Sequence, residues 1–154
     1  MNSIKIEIKH IVNTIEELQI GGNKRCERVV LWLGVRNKGG IEIREVFVPE
    51  QYAERDFFRI PREAMAALLK HLRETRYFIA AQVHSHPELA FHSHVDDEWA
   101  IVRHEGALSL VLPYFGLQTT SDTFVQDAAV FELSSKNEWL KIYPHNIPSR
   151  YLNY

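Results

Sequence analysis

Tyr77-Phe78-Ile79-Ala80-Ala81-Gln82-Val83-His84-Ser85-His86 carries an apolar segment straight into a pair of histidines. The apolar part reads as a buried strand. A strand bearing His-x-His turns both imidazoles to one face, because side chains alternate with period two. The chain continues Pro87-Glu88-Leu89-Ala90-Phe91-His92-Ser93-His94-Val95-Asp96-Asp97, so four of the eight histidines fall in residues 83–97. Two neutral imidazoles and a carboxylate from the following loop or helix make a divalent-metal site, for which zinc is the natural occupant. A histidine pair on one strand face can also be a satisfied part of a core. The proline, serines and paired aspartates that follow favour the metal.

Working outward, Tyr77–Val83 follows an amphipathic helix in which Met65, Leu68, Leu69 and Leu72 recur at helical spacing through about Arg76. Pro61 suits its first turn, with acidic Glu63 close behind. Phe57–Ile60 is a short extended piece, and 49–56 a polar loop. Further upstream, Glu27–Val35 is β-branched and aromatic without interruption, and Trp32 in its middle is expected in the core. The turn Asn37-Lys38-Gly39-Gly40 leads to a return strand, Ile41–Val48, with Ile41, Ile43 and Val46 on one face. At the N-terminus, alternating Ile4, Ile6 and Ile8 suggest a strand running into a helix that stops at Gly21-Gly22. Downstream, the pattern predicts a helix near Asp97–Arg103, strands at Ala107–Leu112 and Thr123–Leu133, and a short strand at Trp139–Tyr143. Strands bracketing two or three helices give an α/β fold, a single domain with a mixed sheet flanked by helices. The domain takes residues 1–143, and 144–154 is a C-terminal tail expected on the surface or docked against a partner.

A length of 154 residues suits one domain, and 45% hydrophobic with 25% charged residues is ordinary for a globular chain. A formal charge of −2 offers no basic footprint for nucleic acid. No apolar run spans a bilayer, and the N-terminus lacks a signal-peptide core, so no membrane partner is expected. One cysteine, Cys26, cannot form an internal disulfide, which points to a cytoplasmic location. Cys26 itself reads as a small core or edge residue.

A zinc hydrolase needs three protein ligands, an open coordination position and a general base. His84 and His86 supply two ligands, and Asp96 or Asp97 the third. Glu27, at the start of the long buried strand, is the candidate base, because a carboxylate can take and return a proton. Taken alone, Glu27 could be an exposed residue pairing with Arg25 or Arg28. Ser93 carries a hydroxyl suited to an oxyanion and could also cap a following helix. His92 and His94 read as rim residues, and Phe91 and Trp99 as packing.

These residues together resemble the JAMM (MPN-plus) metalloprotease family, whose signature is His-x-His-Pro followed by Ser-x-x-Asp. His84-Ser85-His86-Pro87 and Ser93-His94-Val95-Asp96 match it, and Glu27 is similar to the family's upstream glutamate. The resemblance covers roughly Ile4–Leu133, including the order of elements. Two departures stand out. The gap after His86 is one residue short of the commonest spacing, which would select Asp97 with His94 in the serine's place; keeping Ser-x-x-Asp whole selects Asp96. A glycine common shortly after the glutamate is replaced in the Val29-Val30 region.

The resemblance implies a single MPN (JAB-like) domain that works as a zinc-dependent isopeptidase. In it His84, His86 and Asp96 bind Zn2+, Glu27 is the acid/base and Ser93 supports the oxyanion. It implies a ubiquitin-like protein and its conjugates as substrate, cut after the C-terminal tail. The short form is most similar to bacterial members of ubiquitin-like conjugation operons, some implicated in phage defence. Competing readings are a histidine-rich metal-binding or sensing protein built on His84, His86, His92 and His94, a non-catalytic MPN scaffold, and a different metal-dependent hydrolase acting on small molecules. The oligomeric state stays open.

Overall fold

The computed structural model describes residues 3–53, 55, 58–90 and 100–143, with 152–153 described as backbone only. Eight strands form one mixed sheet in the order β10-β1-β3-β2-β6-β7-β8-β9. These strands are β1 (Ile4–Lys5), β2 (Val29–Asn37), β3 (Gly40–Phe47), β6 (Phe78–Ser85), β7 (Leu108–Leu112), β8 (Ala129–Leu133), β9 (Trp139–Ile142) and β10 (Leu152–Asn153). A separate ribbon pairs β4 (Tyr52–Ala53) with β5 (Phe58–Arg59). β6 and β7 are parallel, as are β1 with β3 and β1 with β10; the other pairs are antiparallel.

The central strands β2 and β6 are near-continuous apolar runs because both of their faces are covered. On one face α1 (Ile8–Gly22) lays Ile11, Ile15 and Leu18 against Val30, Trp32, Ala81, Val83 and Leu110. On the other, α2 (Arg62–Thr75) sets Leu68 on Val29, Leu31 and Leu33, with Met65, Leu72, Phe58 and Ile101 around them. Trp32 is fully buried, and its indole N–H donates to Thr14 Oγ1 of α1 at 2.9 Å. Val46 packs with Ile41 and Ile43 on the α1 side because the register shift opposite Leu33 and Gly34, which skips Arg44, resets the alternation of β3.

Several expectations need correction. Ile8 begins α1 and is exposed, so the N-terminal strand is shorter than the alternation suggests. Gly21 and Gly22 close α1 where the sequence expects it to stop, and both lie in its last turn. They are needed for close approach: a Cβ would come within 2.8 Å of Cys26 O at Gly21 and 2.7 Å of Phe115 Cβ at Gly22. Leu69 is exposed and Ala64 takes the inward position, because the packed stripe of α2 runs through 64, 65, 68 and 72. The segment 123–127 is not strand: Phe124–Asp127 forms one helical turn, tied by Thr123 Oγ1 donating to Asp127 Oδ2 at 2.8 Å. The turn drives the fully buried Phe124 against Trp32, and five residues of β8 suffice to pair with β7. Residues 100–103 carry no helix, whereas 97–99 lie outside the described residues. The tail supplies a strand of its own, β10, which extends the sheet beside β1.

Candidate metal centre

Register brings three of the predicted residues, Glu27, His84 and His86, together. Val29 on β2 pairs with His84 on β6, and stepping outward sets Arg28 against Ser85 and Glu27 against His86. The middle pair is locked both ways: Ser85 N–H donates to Arg28 O, and Arg28 N–H donates to Ser85 Oγ, each at 3.1 Å. Alternation then fixes the faces. Arg28 points to the α1 side, where it pairs with Glu17 at 3.3 Å. Glu27, His84 and His86 share the α2 side.

All three of these side chains are buried: His84 is 0%, and Glu27 and His86 are each 3% exposed. The two imidazoles lie side by side with centroids 5.1 Å apart, and Glu27 Oε1 is 3.9 Å from His86 Nε2. Phe58 closes one flank, its ring centroid 5.7 Å from that of His84. Burial and this contact replace the reading of Glu27 as an exposed strand-start residue. Cys26 is half-buried, and its thiol donates to the Lys24 carbonyl at 3.4 Å.

Both strand ends are held by features that composition hides. Pro49 has no N–H to continue the β3 ladder opposite Val29. The Gln51 amide takes over: it accepts from Val29 N–H at 2.8 Å and donates to Val29 O at 2.9 Å and to Pro49 O at 3.0 Å. The signal for Gln51 in the sequence is that proline, two residues upstream. Beyond β6, His86 N–H donates to Leu112 O at 2.9 Å, Phe115 N–H to His86 O at 2.7 Å and Tyr114 N–H to Glu88 O at 2.8 Å. Tyr114, Phe115 and Gly116 are consecutive left-handed residues, with φ of 53°, 56° and 70°. Two non-glycine residues held there store backbone strain of the kind that clusters at functional sites.

The donor set fits a borderline metal such as zinc: two adjacent, inward-turned imidazole nitrogens beside an oxygen ligand or base. Among the described residues no group of three or more His, Cys, Asp or Glu is arranged to hold an ion. The expected third ligand, Asp96 or Asp97, lies outside the described residues, as do Ser93, His92, His94, Phe91 and Trp99.

No family model matches the chain. Over 136 residues, spanning 85% of this chain and 82% of the relative, it is 31% identical to the probable metalloprotease y4jG of Sinorhizobium fredii. The chain belongs to this metalloprotease family. Its fold is similar to the solution structure of protein DSY2949 from Desulfitobacterium hafniense, with a TM-score of 0.68 over 97% of this chain and 92% of that one. At 14% identity that likeness concerns the fold alone. Membership of a metalloprotease family implies a metal cofactor, and the buried histidine pair offers nitrogen ligands for one. No helix among the described residues is long and apolar enough to cross a membrane.

Proposed function

We propose that this metalloprotease is a zinc-dependent peptidase or isopeptidase of the JAMM type, cutting after the C-terminal tail of a ubiquitin-like protein. The observation that supports it best is the meeting of Glu27 with His86. A carboxylate 57 residues before His84 and 59 before His86 lies buried 3.9 Å from the second imidazole. Buried carboxylates are rare without a task or a partner, and a place beside the second imidazole supports the reading of Glu27 as a general base.

In this reading His84, His86 and Asp96 hold the zinc. When bound, zinc supplies a positive charge that acidifies water and polarises a scissile carbonyl. Glu27 accepts a proton from the attacking water and returns it to the departing amine, so one carboxylate serves both halves of the reaction. Ser93 donates its hydroxyl to the oxyanion of the tetrahedral intermediate. The Arg28–Ser85 pair and the Gln51 grip on Val29 anchor the backbone of the two residues that follow Glu27. A narrow, extended tail such as Gly-Gly fits a centre sunk at the end of two strands, and main-chain pairing could hold it. Placement beside a bacterial ubiquitin-like conjugation system, including one in phage defence, belongs to the same proposal.

The test is incubation of the purified protein with a neighbouring-gene ubiquitin-like protein carrying a C-terminal fusion. Cleavage with zinc that stops on adding a chelator is expected. An uncut fusion and an uncut lysine conjugate, both in the presence of zinc, would overturn the substrate assignment.

A further inference from the structure

The main chain of His86 is held from both sides by the end of β7 and the segment that follows it. His86 N–H donates to Leu112 O at 2.9 Å, and His86 O accepts from Phe115 N–H at 2.7 Å. A regular parallel ladder serves the two sides of one residue from partners two apart, so residue 114 would supply the donor here. Instead Tyr114 N–H goes to Glu88 O at 2.8 Å, and the chain curls round His86 through the left-handed residues 114–116. Such conformations cost free energy at Tyr114 and Phe115, and they persist only where the surroundings impose them. The last two turns of α1 do so. Gln19 Nε2 donates to Gly116 O at 3.0 Å. Gly22 packs so closely on Phe115 that a Cβ would lie 2.7 Å from the Phe115 Cβ and 2.8 Å from its O. What the strained turn adds is a buried donor on the carbonyl of a candidate metal ligand.

We infer that Phe115 is a positioning residue for the metal, acting through the main chain of His86, and that α1 holds it in place. The inference rests on the reading of His86 as a ligand and extends it. With N–H and C=O both bonded, the backbone of His86 is fixed, which leaves two side-chain torsions to place its imidazole. A site works only when its groups are held within about 0.5 Å of the productive geometry. A shift at Phe115 passes straight to the carbonyl it bonds, and from there to the ring. The Gly22 contact therefore governs metal affinity although α1 packs on the sheet face opposite the imidazoles.

The experiment uses the full chain, with zinc alone as probe, in competition against a chromophoric chelator at a temperature well below the apo-protein's melting point. Gly22→Ala, which pushes Phe115 off its place, is expected to weaken zinc binding about tenfold or more, the scale at which outer-shell partners act. Gln19→Leu, which deletes the bond to Gly116 O, should weaken it severalfold. Thr14→Val is the control. It removes the bond that Trp32 makes to the same helix, so it should melt lower yet bind zinc within about threefold of wild type. Cobalt(II) in place of zinc gives a visible spectrum that reports ligand geometry, which Gly22→Ala should alter and Thr14→Val should not. A Gly22→Ala protein that melts lower yet binds zinc as tightly as wild type has lost only packing, and this overturns the inference. Equal losses of affinity in Gly22→Ala and Thr14→Val also overturn it, because general loosening would then be the cause. Weaker binding by Gly22→Ala with an unaltered cobalt spectrum does so too, since the ligand geometry would be intact. Should Gly22→Ala fail to fold, unchanged affinity in Gln19→Leu decides against the inference. Wild-type protein that binds no zinc overturns the ligand reading itself, and the inference with it.

Discussion

Replacing Gln51 with methionine keeps the length and apolar stem of the side chain while deleting its amide. Wild-type Gln51 makes two hydrogen bonds to Val29, at 2.8 and 2.9 Å, and one to Pro49 O at 3.0 Å. Val29 is fully buried, so losing the Gln51 acceptor strands its N–H away from water. An intramolecular hydrogen bond contributes about 1 kcal/mol net, and an orphaned buried group costs about 1–3 kcal/mol. Partial exposure of Gln51 lets water recover some of this, so the expected loss is about 2–4 kcal/mol. For a domain of this size each kcal/mol moves the melting point by roughly 2–4 °C, giving a fall of about 4–16 °C. Urea denaturation followed by tryptophan fluorescence reads the same change as a lower midpoint at constant m-value. Gln51→Glu keeps the acceptor and loses both donated bonds, so it should fall between wild type and Gln51→Met. A Gln51→Met protein within about 0.5 kcal/mol of wild type would refute the claim that this amide substitutes for the missing ladder.

Other perturbations are equally specific. In Gly34→Ala the new Cβ would meet Glu42 O at 2.2 Å, so β2 and β3 must part locally; a loss of about 1–3 kcal/mol or more is expected from denaturation curves. Thr14→Val leaves the buried Trp32 indole N–H without the hydroxyl it donates to, which should cost about 1–3 kcal/mol and shift the tryptophan emission. Burial first, and Lys9 second, lower the pKa of His10 from its ordinary value, with Glu7 opposing. The unfolded chain therefore binds the proton more readily, and the His10 contribution to stability falls as pH drops through about 6.5 toward the folded value. His10→Gln should flatten that part of the stability profile, and NMR titration of the ring should find the midpoint below that of a model peptide.

Much of this architecture is legible in the sequence because a single force writes it. Near-continuous apolar strands such as Val29–Gly34 and Phe78–Val83, the second broken only at Gln82, belong in the centre of the sheet, and His-x-His at the end of one of them has to share a face. The amphipathic stripe of α2 is visible for the same reason, apart from the one position, Leu69, that slips past its edge. What stays hidden depends on pairing partners far along the chain. Nothing near Glu27 announces that residue 86 lies opposite it; the register between β2 and β6 decides that. The helical turn at Phe124–Asp127 looks like strand because Thr123, Phe124 and Val125 favour strands locally, and only the pull of Phe124 toward Trp32 reverses it. Likewise Gln51 and Gln82 read as ordinary polar residues until the backbone groups they serve are known. The left-handed run at Tyr114–Gly116 carries a glycine only at its last position, so composition gives little warning of it.

The account depends most on Glu27 as the proton carrier beside the two imidazoles. Its direct test is the rate at which zinc-loaded Glu27→Gln cleaves a C-terminal fusion of a ubiquitin-like protein, measured beside wild type with the metal content of both determined. The expected result is equal zinc content with cleavage slowed by about 10²–10⁴-fold. Cleavage by Glu27→Gln at the wild-type rate would contradict it.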